Sequence, residues 1–129
     1  MSKAVRFYSR SGNTKALADA IAAGAEVTAL SVDDRSAAIT EPVDTLFIGG
    51  GLYAYGIDKK LKEYISTLDS NKVKQAAVFS TSWLSKHALD ILKNELKARG
   101  IAVLEDTCYA KSNPDESALK AAEAFGRSH

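Results

Sequence analysis

The feature that most constrains this chain is an alternation, in which short β-rich apolar runs trade places with longer stretches of helical periodicity. The runs are Ala4 to Tyr8, a weaker segment from Glu26 to Leu30, Thr45 to Ile48, Ala76 to Phe79, and Ile101 to Leu104. The last reads as interrupted and resumed near Cys108 and Tyr109. Between them, Leu17, Ala20 and Ile21 share one helical face from Thr14 to Ala23, with Gly24 as the stop. Asp58 is placed to cap a helix carrying Leu61, Tyr64, Ile65 and Leu68. Leu84, Ala88, Ile91, Leu92 and Leu96 trace the next, closed by Gly100. Asn113 as the cap, Pro114 at the first helical position and Asp115 and Glu116 in the first turn then open a helix with Leu119, Ala122 and Phe125 on its apolar face. The second unit is poorly marked, since Asp33 to Pro42 is polar and lacks a clear period.

Strands covered on both faces by crossover helices read as continuous apolar runs, and these do. The expectation is a doubly wound α/β fold: one parallel sheet, helices on both faces, three layers. No Pro/Gly/Ser-rich linker or composition break divides residues 1–129, so the reading is one domain. Charge then narrows the function. Seventeen Lys and Arg against sixteen Asp and Glu leave +1, too little basic excess for a general nucleic-acid binder. The 46% hydrophobic content argues against disorder. No apolar run reaches the roughly 18 residues of a membrane span. With no signal peptide evident at the start, the expectation is a cytoplasmic protein. One cysteine, Cys108, excludes an intrachain disulfide, and His87 and His129 lack metal-ligand spacing.

In an open α/β sheet, ligands sit beyond the carboxyl ends of the strands. After the first strand come Ser9, Arg10, Ser11, Gly12, Asn13 and Thr14, directly before a helix. Hydroxyls, an amide and a glycine at a positive helix end suit a phosphate. A polar turn that merely caps the helix reads the same way, because the two chemistries overlap. The spacing matches neither the nucleotide-triphosphate loop nor the dinucleotide fingerprint. After the third strand, Gly49, Gly50, Gly51, Leu52, Tyr53, Ala54, Tyr55 and Gly56 read as a loop carrying flat side chains. An aromatic face covers a planar ring by stacking, although tyrosines also pack core edges. After the fourth strand come Ser80, Thr81, Ser82 and Trp83, the only tryptophan, which either borders a ligand or anchors the next helix.

The segment Tyr8-Ser9-Arg10-Ser11-Gly12-Asn13-Thr14 resembles the phosphate-binding loop of flavodoxins. The resemblance covers essentially the whole chain in segment order, and its length matches the short-chain members. It implies a five-stranded parallel sheet in the order 2-1-3-4-5 and non-covalently bound FMN. It also implies electron transfer between redox partners, a flavin reductase among them, by a monomer, with a dimer as the alternative. Carried over, Ser9, Ser11, Asn13, Thr14 and the amides from Arg10 to Thr14 hold the phosphate. Arg10 is then either a solvent-facing passenger or an extra cation. Gly50 to Gly56 and Ser80 to Trp83 would enclose the ring, Tyr53 or Tyr55 and Trp83 supplying its stacking partners. The third loop departs from the Pro-Thr-aromatic pattern of many flavodoxins. Lys59, Lys60, Lys86 and His87 stand where acids are common in the family. The rival readings are a flavodoxin-fold FMN oxidoreductase, of quinone-reductase or porphyrinogen-oxidase type, and a flavin-free domain that kept the fold.

Overall fold

The alternation folds as expected around two long central strands. The computed structural model describes residues 2–10, 12–51, 56–82, 86–111 and 113–129. In chain order the elements are β1 (Lys3–Tyr8), α1 (Asn13–Ala25), β2 (Ala29–Ser31), β3 (Val43–Gly51) and α2 (Lys59–Ser66). They continue as β4 (Val73–Ser82), α3 (His87–Ala98), β5 (Ala102–Val103), β6 (Cys108–Lys111) and α4 (Glu116–Ser128). The pairs β1–β2, β1–β3, β3–β4, β4–β5 and β4–β6 are all parallel, and the order is β2-β1-β3-β4-β5, with β6 also on β4. The fifth strand is therefore split, as its interrupted apolar run predicts.

Strand alternation sends successive side chains to opposite faces. Leu46, Ile48, Ala76 and Val78 face Leu61 and Ile65 of α2 and Leu89, Leu92 and Leu96 of α3. Val5, Phe7, Phe47, Ala77 and Phe79 face Leu17, Ala18 and Ile21 of α1 and Ala122 of α4. Cys108 lies in this second layer, and burial pushes its thiol up to about 11. A disulfide reagent such as DTNB at pH 8 should therefore leave the native thiol almost untouched, yet label it fully in urea.

Three local expectations are corrected. A second crossover helix does not form; one 3-10 turn, Arg35–Ala37, replaces it. The reason lies beneath it. Arg6, in the middle of β1 and 8% exposed, donates from Nε to the Ala37 carbonyl at 2.7 Å. Its Nη1 donates to the Val5 carbonyl at 3.0 Å, and the Tyr64 hydroxyl donates to the same Ala37 oxygen. Two side chains thus pin the connection to the sheet without a helix. Next, Gly24 does not stop α1, which runs on to Ala25 and ends at Glu26 with φ 61°. Gly24 instead lets α4 approach: a Cβ there would lie 1.8 Å from the Glu123 carbonyl oxygen. The cap of α4, finally, is Asp115 rather than Asn113; its carboxylate accepts from the Ala118 amide at 2.8 Å.

Candidate functional site

The strand order reverses direction between β1 and β3, and this is the switch point of the sheet. Tyr8 and Gly50 are paired there, so the loops leaving β1 and β3 open side by side. One leads to α1 and the other to α2, on opposite faces.

The first loop is built to leave amides open. Gly12 has φ 90°, a left-handed conformation that an L side chain rarely adopts, and it is the N-cap of α1. As a glycine it offers no side chain to the helix end, and it makes no side-chain cap bond among the described residues. The Gly12 carbonyl accepts from the Ala16 amide at 3.1 Å, which begins the helical ladder. The amides of Asn13, Thr14 and Lys15 therefore have no carbonyl behind them within the helix. Ser9 Oγ accepts from the Gly12 amide at 2.9 Å and closes the turn. Thr14 differs from its expected role. It is 2% exposed, and its hydroxyl meets that of Thr81 at 2.6 Å. That bond fixes the start of α1 against the end of β4.

Arg10 is neither a passenger nor a free cation. Its Nη2 and Nε lie 2.6 Å and 2.8 Å from Asp58 Oδ2. Asp58 was expected as the cap of α2, and it is: Oδ1 accepts from the Lys60 amide at 2.8 Å. Its tie to Arg10, across 48 residues, has no local signature, so the sequence offered no signal for it. Burial, the largest influence, pulls the Asp58 carboxyl upward. The Lys60 amide and the Arg10 guanidinium, with a smaller charge effect from Lys60, outweigh it and hold the group below 3.8. A carboxyl depressed in the folded state contributes stability above its unfolded value and loses it as pH falls through the folded one. Acid thermal unfolding should therefore steepen below pH 3.8, and Asp58→Asn should flatten that part of the profile.

The glycine run is not the loop that was expected. Gly50 and Gly51 are buried in β3, whose register places Gly49, Gly50 and Gly51 beside Phe79, Ser80 and Thr81. A Cβ at Gly49 would lie 2.2 Å from the Phe79 carbonyl oxygen, and one at Gly50 would lie 2.6 Å from Leu61 Cδ2. Ser80, Thr81 and Ser82 likewise continue β4 and are buried, and the Tyr109 hydroxyl donates to the Ser82 carbonyl at 3.0 Å. Gly56, with φ 120°, returns the chain toward Asp58. Ser11, Leu52, Tyr53, Ala54, Tyr55 and Trp83 lie outside the described residues. The structure thus brings Ser9, Arg10, Gly12, Asn13 and Thr14 to one end of the sheet, with the buried ends of β3 and β4 beside them. Two lysines border it: Lys60 Nζ stands 5.3 Å from the Tyr8 ring centre and 3.9 Å from Asp33. Lys86 Nζ stands 5.4 Å from the Tyr109 ring centre.

The family model described as a flavodoxin domain matches residues 4–120. The chain belongs to the flavodoxin family. Its cofactor is FMN. A diflavin flavoprotein (A 5) of Nostoc sp. is 30% identical over 98% of this chain. The chain spans 24% of the length of that curated relative. Oxidised flavodoxin 1 from Bacillus cereus superposes with a TM-score of 0.78 at 25% identity, covering 97% of this chain and 95% of that one. The flavodiiron protein from Giardia intestinalis superposes at 0.80 with 18% identity, covering 98% of this chain and 34% of that one. The described residues of this flavodoxin domain fit the cofactor: an uncapped helix start opens at the switch point, where a phosphate finds amide donors. No helix among the described residues is long and apolar enough to cross a membrane.

Proposed function

We propose that residues 1–129 act as one flavodoxin domain that carries electrons between separate redox proteins. The observation that carries this reading is the first turn of α1, opened by Gly12 at φ 90° with no capping side chain. Helix N-termini of this kind favour anions through unpaired amides and the helix dipole. Ser9, Ser11 and Asn13 with the amides of Arg10, Ser11, Asn13 and Thr14 hold the phosphate, while the Gly12 amide closes the turn on Ser9 and the Thr14 hydroxyl fixes the helix start through Thr81. Gly50, Gly51, Leu52, Tyr53, Ala54, Tyr55 and Gly56 border one side of the ring, and Ser80, Thr81, Ser82 and Trp83 the other. When bound, FMN supplies the electron-accepting and electron-donating chemistry. The chain's own residues bind it, orient it and set the charge around it.

The partners are a flavin reductase or other redox proteins, and the protein works as a cytoplasmic monomer. A specific observation supports a second arrangement. The matched diflavin flavoprotein is about four times longer, so a domain of this kind also serves as a module within a larger flavoprotein. The rival reading remains an FMN oxidoreductase that turns over a small acceptor on its own.

Two measurements test these readings. Titrating FMN with apoprotein should quench its fluorescence to a stoichiometric end point; full fluorescence throughout would end the cofactor assignment for this chain. Holoprotein mixed with NADPH and a quinone should stay oxidised until a separate reductase is added. Turnover without that reductase would replace the carrier with the enzyme.

A further inference from the structure

We infer that Asp58 is a positioning residue of the phosphate-binding turn: by holding Arg10 across the switch point, it sets where that turn presents its amides. This inference rests on the proposed FMN site and names a residue outside its expected contacts.

The geometry makes Asp58 the fixed member of the pair. Its side chain is 9% exposed, whereas that of Arg10 is 56% exposed. Two hydrogen bonds and an ion contact converge on the carboxylate: the Lys60 amide donates to Oδ1, Arg10 Nε donates to Oδ2, and Arg10 Nη2 lies 2.6 Å from Oδ2. A solvated ion pair is worth little because water competes for both ends. Here one end is buried and anchored in the first turn of α2, so Arg10 is held to a defined place. Arg10 follows Ser9 and lies two residues before Gly12, and Ser9 Oγ already closes that stretch on the Gly12 amide. The segment is thus tied once through Ser9 and once through Arg10. The second tie runs to the segment that leaves β3, next to β1 in the sheet. Charge on the phosphate alone would not require Arg10 to be occupied this way. A cation meant for the ligand is better left without a buried carboxylate partner.

Asp58→Asn separates these roles, because asparagine caps a helix as well as aspartate does but gives up the charge. Dissociation constants for FMN and riboflavin are measured by flavin fluorescence with wild type, Asp58→Asn, Arg10→Ala and the double variant. Each apoprotein is also melted. Wild-type binding of FMN is read first, which separates failure of the flavin assignment from failure of this one; without it both fall. The expected result is about tenfold weaker FMN binding in each single variant, with riboflavin changed by less than about twofold. The double variant should be no weaker than either single one, since both remove the same tie. Tighter FMN binding by Asp58→Asn would overturn the inference and make Asp58 a competitor for Arg10. Equal losses for both flavins with a lower melting temperature would reduce the pair to a structural staple. Additive losses in the double variant would show that the two residues act separately.

Discussion

Replacing Gly126 with alanine is expected to lower the unfolding free energy by about 3 kcal/mol, at the upper end of overpacking costs. A Cβ at Gly126 would lie 2.0 Å from the Ile21 carbonyl oxygen and 3.1 Å from the Ala25 amide nitrogen. The reciprocal contact involves Gly24, whose Cβ would sit 1.8 Å from the Glu123 oxygen. These atoms are backbone in both helices, so no side chain can swing aside. Alanine also favours a helix interior by about 1 kcal/mol over glycine. That gain loses, because the clash forces α1 and α4 apart along a buried face. Urea unfolding of Gly24→Ala, Gly126→Ala and the double variant checks this. The double should lose less than the sum of the singles, since helices already separated accept the second methyl more easily. Alanine at Gly126 without loss of stability would show that the helices do not meet there.

The second large effect belongs to the pinned 3-10 turn. Arg6→Met should cost about 2 kcal/mol, as bonds from a charged donor to buried carbonyls are lost. Tyr64→Phe should cost about 1 kcal/mol, the net worth of one neutral hydrogen bond. Each single variant leaves the Ala37 oxygen one donor. The double removes both and orphans a carbonyl in a residue that is 1% exposed. Its loss should therefore exceed the sum, reaching about 4 kcal/mol or more. Arg6 has no carboxylate partner among the described residues, so removing its charge strands no counter-ion. Denaturant midpoints of the four proteins give the coupling directly, and strict additivity would dissolve it.

Much of this architecture was legible because the periodicities differ so sharply. The apolar runs at Ala4 and Ala76 became β1 and β4, and the broken run at Ile101 became the split fifth strand. Asp58 was legible as a cap, since capping depends on near neighbours. What stayed hidden depends on distant partners. The glycines after Ile48 and the hydroxyls after Phe79 look like turn residues, yet both sets extend strands. Phe79 and Leu61 occupy the space beside the glycines, and the Thr14 hydroxyl satisfies Thr81 in the interior. No local pattern announces either fact. Arg6 is similar: a charge inside an apolar run marks a buried partner, but its identity comes from residues 31 and 58 positions further on, Ala37 and Tyr64. Within the candidate site, the turn from Ser9 to Thr14 was readable, while its ties to Asp58 and Thr81 came only from the folded chain.

The broken outer strand also limits how far two such sheets can pair edge to edge. A sheet grows from chain to chain when an edge offers a long row of unpaired amides and carbonyls. One edge here is the three-residue β2; the other is β5 with two residues and β6 with four, separated by residues 104–107. Among the described residues, a second molecule docking edge to edge would find at most four consecutive positions to pair with before the template ends. The interruption that looked like a weak strand in one chain thus acts, in a crowded solution of many, as a guard against fibre growth.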